Sequence, residues 1–509
     1  MVLLLLGLFL GRIVLTYRIF NDTTDENIHI AAGMEILERG KYTVELQHPP
    51  VARFVVGALP YLVAGLRLEG HERLWYGGPW SKADPELYWR SLALARAGNL
   101  VFAGLLFAVV YWWSRSLHGP RGAVLACLVV ACCPNLIAHS SLATLDAGAA
   151  ATTVLGAYAL RRWSAEPTAK RGLAAAAAFS FATLTKFSAL SFLVPLGALY
   201  WCLAAGRRRR MLATLPAMAV VFLAAVWTAY LFQGGRPDLP RYAQRPANLI
   251  EKTPVAGRLV PYLFSEGMAE VHRHNLAGHQ NYLFGKSSTE GWWYYFPVAL
   301  AVKSTLPLLA LAGIGIWGGR RNRALLYPGL AVAVILGVAM TARINIGVRH
   351  VLAIYPLLAI LAGGAWAEGG RALRLAVIAL ATWHAAESAL VHPHYLAYFN
   401  QIARGREDYF LGDSNLDWGQ DLANLGRYLR EHGIAEVQLR FTGVTEPEKV
   451  GVKARPLPAG DPDPGWVAIS VQHIAGTWYD HYSYEWFHRR RPVARVGRTI
   501  WLYHRNGNP

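Results

Sequence analysis

The sequence predicts a polytopic α-helical membrane protein that ends in a C-terminal α/β unit. Hydrophobic residues make up 54% of the 509 positions and charged residues only 16%, whereas a soluble surface calls for about 25% charge. Apolar runs of spanning length, roughly 17–25 residues, recur along the first three quarters of the chain. With 18 Trp, 24 Tyr and 18 Phe there is ample material for aromatic belts at the bilayer interface. Apolar content this high also excludes a disordered chain.

The runs lie at 2–20, 96–114, 121–138, 145–161, 172–186, 188–205, 211–232, 293–318, 324–342, 350–366 and 371–391, about eleven spans in all. The first has neither a basic leader nor a small-residue cleavage site, so it reads as a retained span rather than a signal peptide. Residues 51–67 are also apolar, but they carry Arg53 and are interrupted by Pro60. They read as an in-plane helix; a twelfth span there would invert the C-terminal unit. No internal repeat or low-complexity tract is visible.

The net charge of +18 invites a nucleic-acid reading, but its distribution argues otherwise. Alternate connections hold Arg115 and Arg121, then Arg161, Arg162, Lys170 and Arg171. They continue with Arg207 to Arg210, then Arg320, Arg321 and Arg323, and finally Arg371 and Arg374. These are fifteen basic residues against Glu166 and Glu368 alone. That is the positive-inside pattern of a cytoplasmic face, with no nucleic-acid partner. The opposite face then carries the long loops 21–95 and 233–292 and the segment 392–509. The four cysteines, Cys127, Cys132, Cys133 and Cys202, all fall in apolar runs, giving neither a disulfide framework nor a metal motif.

The organisation expected is a membrane unit, 1–391, followed by an extracytoplasmic domain, 392–509. Ala435–Phe441, Trp466–Val471 and Thr499–Tyr503 read as strands and Gly419–Glu431 as an amphipathic helix. The segment is long enough for a small domain.

Chemistry gathers at the outer face. Asn21-Asp22-Thr23-Thr24-Asp25-Glu26-Asn27-Ile28-His29 follows the first span. Its acids suit a solvated helix N-terminus, with Asp22 or Thr24 as cap. They also suit a catalytic carboxylate facing a lipid headgroup, and Asp25 and His29 share a helix face at i,i+4. Glu45-Leu46-Gln47-His48-Pro49-Pro50 sets the entry to the 51–67 helix, with His48 either a turn residue or a ligand. Asp146 sits at a span boundary in the next outer hairpin, where a carboxylate is solvated, capping or functional.

Lys186 lies about 21 Å from the cytoplasmic end of its span and Lys303 about 15 Å from the outer end of its own. Cations so placed snorkel or meet an anion such as a lipid phosphate. Arg343, Arg349 and His350 add positive charge at the outer mouth. A divalent metal could be held near Asp25 by His29, His48, His272, His274 or His279. Asp413-Ser414-Asn415-Leu416-Asp417-Trp418-Gly419 begins like a calcium loop, but Trp418 and Asn424 stand where such a loop needs Gly and Glu. Capping by Asp417, or a contact to sugar or acceptor, remains for it.

Asp25-Glu26 followed by His48-Pro49-Pro50 resembles the first outer loop of the GT-C superfamily, as in protein O-mannosyltransferases and lipid A aminoarabinose transferases. Thr185-Lys186-Phe187, Gly291-Trp292-Trp293-Tyr294-Tyr295-Phe296-Pro297, Gly347-Val348-Arg349-His350, Tyr355-Pro356 and Asp413–Asp421 resemble its phospholipid-carrier-dependent branch, family 39. The resemblance runs over nearly the whole chain. It implies a multi-pass inverting glycosyltransferase of the bacterial inner membrane. Such an enzyme moves a sugar from a polyprenyl-phosphate carrier to a hydroxyl on a lipid, glycan or protein, outside the membrane. By that resemblance Asp25 is the base, with Glu26 beside it, and Asp146 is the second acid. His29, His48, Lys186, Lys303, Arg349 and His350 would contact substrate. His48 stands where the aminoarabinose transferases have Lys. No cofactor is required, and the chain has no P-loop and no dinucleotide fingerprint. A transporter or flippase of lipid-linked sugar is the alternative, although inverted-repeat symmetry is not visible.

Overall fold

The computed structural model describes residues 1–68, 78–80, 83–235, 259–366, 370–458, 460–477 and 484–506. Parts of both long loops, and Glu368, lie outside the described residues.

Each of the eleven apolar runs contains helix, but most of these helices are shorter than the runs. Among the described residues two are long and apolar enough to cross a membrane: Arg208–Ala229 and the continuous Pro85–Ala131. The bent pair Tyr295–Lys303 and Leu306–Gly318, at 107°, would make a third. The runs are cut by their own sequence. Gly119, at φ 71°, and Pro120 kink α5 (Leu100–Ala131) between the two runs it joins, 96–114 and 121–138. Cys133 is extended and precedes Pro134, as expected before proline. Lys186 is the extended residue that ends α8 (Ala169–Thr185), and α9 (Ser188–Leu203) restarts two residues later. Ser304 ends α12 (Tyr295–Lys303) in the same extended conformation.

The breaks at Cys133, Lys186 and Ser304 lie at one end of the helix bundle, where Asn135 donates to Lys303 O at 2.7 Å, whereas Gly119 and Pro120 lie in the basic connection between Arg115 and Arg121. Asp146 opens α7 (Asp146–Ala165) and Lys186 follows α8, and their side chains meet. The turn between these helices, 166–168, is therefore one helix length away, about 25 Å at 1.5 Å per residue. Arg207 donates to Ala165 O and Arg161 lies over the Tyr327 ring, so the basic segments 161–171 and 207–210 and the start of Leu326–Ala339 share that far end.

The region 51–67 forms α3 (Pro50–Leu59) and a π-helical turn, Pro60–Ala64. At about 22 Å it is short for a 30 Å hydrocarbon core. It crosses α2 (Glu26–Arg39) backbone to backbone. A Cβ on Gly33 would sit 1.9 Å from the Arg53 carbonyl oxygen, and one on Gly57 would sit 2.6 Å from the Gly33 carbonyl carbon. Only glycine permits that approach, and it draws the 45–48 turn against the first turns of α2.

Apart from a hairpin of β1 (Asn281–Leu283) and β2 (Lys286–Ser288), a five-stranded mixed sheet lies in the C-terminal part, in the order Ala454–Pro456, Val437–Arg440, Gly465–Ser470, Ile500–Arg505, Ala494–Val496. β3 (Val437–Arg440) runs parallel to β4 (Ala454–Pro456) and β5 (Gly465–Ser470); β7 (Ile500–Arg505) runs antiparallel to β5 and to β6 (Ala494–Val496). The three expected strands are β3, β5 and β7. The edges β4 and β6, three residues each, are too short to show alternation. The helix Leu422–Glu431 buries Leu422, Leu425 and Leu429 against Val437, Ala468 and Leu502, the helical spacing of one apolar face. Cys127, Cys132 and Cys133 are buried free thiols, and Cys202 is free and exposed.

A strap, residues 396–421, binds the sheet to the bundle. Lys303 donates to the carbonyls of Leu396, at 2.7 Å, and Asn415. The Asn415 side chain accepts from Val348 N at 3.0 Å and donates to Tyr295 Oη at 2.9 Å. Asn21 donates to Gly419 O at 2.7 Å.

Candidate active site

A cavity of about 670 Å³ opens where the helix breaks and the strap converge. Its wall includes Asp25 and His29 of α2, Glu45 and His48 of the turn before Pro49, Lys186, Arg349 and His350. The strap adds Asp413, Asp417 and Trp418. Apolar side chains from α9 and Leu326–Ala339 line another part, Phe192 and Val338 among them, a combination suited to an amphiphile.

Asp25 occupies the N-cap of α2 yet makes no side-chain cap bond. Its Oδ2 instead accepts from Arg349 Nη1 at 2.6 Å, and the side chain stays 31% exposed. The carboxylate is therefore not consumed in ending a helix. Arg349 Nη1 also lies 3.9 Å from Asp146 Oδ2, and the guanidinium stacks 4.2 Å above the Trp418 ring. Asp146 Oδ1 accepts from Lys186 Nζ at 2.6 Å. The result is a row of alternating charge, Asp25, Arg349, Asp146 and Lys186, drawn from four separate segments. Arg349 Nε is buried without a partner among the described residues, so one donor is left for an anion.

Arg349 is aimed by its neighbours. It lies in the 3₁₀ turn Val348–Val351, which the strap holds through Asn415 and through Ser414 Oγ donating to Ile346 O at 2.7 Å. A Cβ on Gly347 would meet Ser414 Oγ at 2.3 Å, so the close approach explains the glycine before that turn.

Glu26 faces away from the cavity. Its two oxygens receive Arg96 Nε and Nη2, each at 2.8 Å, and the backbone N–H groups of Thr23 at 2.8 Å and Ala143 at 2.7 Å. It positions the loop that carries Asp25 and the hairpin that carries Asp146. Lys303, expected to meet a lipid phosphate, is turned into the protein. Two backbone carbonyls take its ammonium, the Phe399 ring lies 4.4 Å from it, and it does not line the cavity. The capping expected of Asp22 is also absent. Asp22 accepts from Tyr88 Oη and Thr445 Oγ1, each at 2.6 Å, and burial raises its pKa to about 6.

His29 and His48 meet edge to face with ring centres 5.1 Å apart. With Glu45 they offer three ligand atoms within 4.8 Å of one another. Burial, then the charge of Lys186, hold the His48 imidazole down to about 3, so it is neutral. His272, His274 and His279 line the cavity separately, with His274 and His279 5.5 Å apart. His350 also reaches it, its Nε2 buried and without a partner among the described residues. Asp417 accepts from Gly419 N at 3.0 Å, and burial raises its pKa to about 8. Sequence reasoning took Glu45 for part of a turn, gave Asp417 a capping role that Asp421 occupies instead at the start of Leu422–Glu431, and left Asp413 and Trp418 without an assigned role. Their only signal was the dense polar run 413–421. Gln472, which lines the cavity and donates to the Asp417 carbonyl, had none.

Residues 89–231 match the family model described as dolichyl-phosphate-mannose-protein mannosyltransferase. The structure matches that of ArnT from Cupriavidus metallidurans bound to undecaprenyl phosphate, with a TM-score of 0.55 and 15% identity over 98% of this chain and 97% of that one. This chain has the GT-C glycosyltransferase fold. The apo state of the same ArnT gives the same values. The archaeal oligosaccharyltransferase AglB from Archaeoglobus fulgidus gives a TM-score of 0.46 at 12% identity, over 92% of this chain and 70% of that one. No curated protein matches by sequence. The family match covers residues 89–231, and the likeness to ArnT over the whole chain is one of fold.

Proposed function

We propose that this chain transfers a sugar from a polyprenyl-phosphate carrier to a hydroxyl acceptor, with inversion, on the extracytoplasmic side of a bacterial inner membrane. The carrying observation is the Asp25–Arg349–Asp146–Lys186 row, in which Asp25, Arg349 and Lys186 line the cavity and Asp146 is buried behind them. In the reaction the bond from the anomeric carbon to the phosphate oxygen breaks, and its electron pair leaves with the polyprenyl phosphate. The acceptor oxygen attacks the opposite face of that carbon and gives its proton to Asp25. A positioned carboxylate base supplies about 10²–10⁴-fold. Fixed cations stabilise the charge that develops on the leaving phosphate, the task assigned to Arg349 and Lys186. Binding of undecaprenyl phosphate by a protein of the same fold supports this donor class, and the apolar lining gives its chain a path. The basic connections at the far end of the bundle support the orientation.

The rival reading, a transporter of lipid-linked sugar, drew on buried lysines. Lys303 is held by backbone carbonyls and Lys186 by Asp146, which leaves that reading without its main support. Purified protein is incubated with a radiolabelled polyprenyl-phosphate sugar and a panel of hydroxyl acceptors. Labelled acceptor and released polyprenyl phosphate are expected. Translocation in vesicles with the donor intact would favour the transporter.

A further inference from the structure

We infer that His29, Glu45 and His48 form a divalent-cation site, of the kind that takes zinc, on the wall of the catalytic cavity. The three ligand atoms lie within 4.8 Å of one another, close enough to converge on one ion with small side-chain adjustments. Two imidazoles and a carboxylate are a donor set suited to zinc, and three protein ligands leave a coordination position for water or substrate. All three residues line the cavity, so that position faces the space where substrates would sit.

The surroundings fit a ligand set. His29 Nδ1 is buried and has no partner among the described residues. His48 Nδ1 lies 3.2 Å from Glu45 Oε2, a separation an ion can bridge. The Glu45 carboxylate is steadied from behind. Its Oε1 accepts from Gln47 N, its Oε2 meets the Arg53 guanidinium, and Arg53 Nη1 donates to the Glu45 carbonyl at 2.6 Å. Ligating carboxylates are characteristically hydrogen-bonded in this way. The Gly33–Gly57 crossing brings the pieces together, because it presses the α3 entrance against the helix that bears His29. Arg53 and Lys186 disfavour a cation here; Asp25 and Asp146, which also act on His48, oppose them.

The site deepens the glycosyl-transfer reading and rests on it for its role. A bound dication would add positive charge to the cavity wall that Arg349 and Lys186 also line, where the leaving phosphate would sit.

The test uses the full-length protein in detergent, stripped with a chelator and titrated with Co²⁺, then with Zn²⁺ in competition. One equivalent of Co²⁺ should bind, with the visible absorption of a low-coordinate site, and Zn²⁺ should displace it. His29→Ala and His48→Ala should each weaken binding by at least ~100-fold, since loss of a mere supporting contact already costs 10–100-fold. His48→Gln guards against misfolding, and the exposed His432→Ala is the control expected to bind normally. Absence of a stoichiometric cobalt signal in folded wild type, or unchanged binding in both His48 variants, would overturn the site. Sugar transfer by a protein that binds no metal would sink the site alone; metal binding without sugar transfer would sink the glycosyl-transfer reading alone.

Discussion

Arg96 meets Glu26 through two parallel hydrogen bonds of 2.8 Å, with both side chains fully buried. The pair lies beneath the cavity rather than in it. Arg96 also donates to the carbonyls of Tyr17, Phe20 and Asn21, so one guanidinium gathers the end of the first helical segment and the loop bearing Asp25. Glu26→Gln should cost about 3–5 kcal/mol, the usual penalty for leaving one partner of a buried pair alone. Thermal unfolding in detergent reads it as a lowered Tm. Transfer activity at low temperature should fall only with the folded fraction; a kcat collapse in fully folded Glu26→Gln would place Glu26 in the chemistry instead.

Asp25→Asn should lower kcat by at least ~100-fold as the loss of a general base. Donor binding should persist, because Arg349 and Lys186 remain. Near-normal turnover by the purified variant would remove Asp25 from the base role.

Asp146 and Lys186 are joined at 2.6 Å, so their substitutions should not add. Asp146→Asn and Lys186→Met, alone and together, should show a coupling of about 0.5–3 kcal/mol in unfolding free energy, the range for residues in direct contact. Strict additivity would show that the pair is not formed in solution.

Lys303→Met should destabilise the protein while leaving the donor KM of the folded fraction unchanged. The ammonium is spent on Leu396 and Asn415. A raised KM with unaltered Tm would restore Lys303 to the phosphate site.

The carboxyl of Asp417 is raised from 3.8 to about 8 by burial. A group whose pKa rises on folding takes up a proton in the native state. Its contribution is complete below about pH 4 and is lost as pH climbs to about 8. Stability measured across that window should therefore fall less steeply in Asp417→Asn than in wild type. Parallel curves would mean that Asp417 is ionised in the native protein.

The sequence revealed the helical class, the segregation of basic connections and three of the five strands, because each depends on composition or on a local period. Asp25, Asp146, Lys186 and Arg349 were legible as charges that apolar surroundings make costly. Their pairing was not, since the partners lie 40 and 324 residues apart. Lys303 misled for the same reason. An apolar run reports the cost of a buried ammonium but says nothing of carbonyls about a hundred positions downstream. The interruption of the expected span 121–138 was written in Pro134, which a running average of hydropathy smooths over.

The strap that carries Asn415 bears on how such proteins can be taken apart. A cut at 391 would follow the composition boundary cleanly, yet it would leave the Lys303 ammonium facing a void and strip Asp413, Asp417 and Trp418 from the cavity wall. The sheet is therefore no detachable module. Exchange of this unit between relatives should succeed only when residues 396–421 stay with the helices they fasten, so that inheritance follows the seam rather than the change in hydropathy.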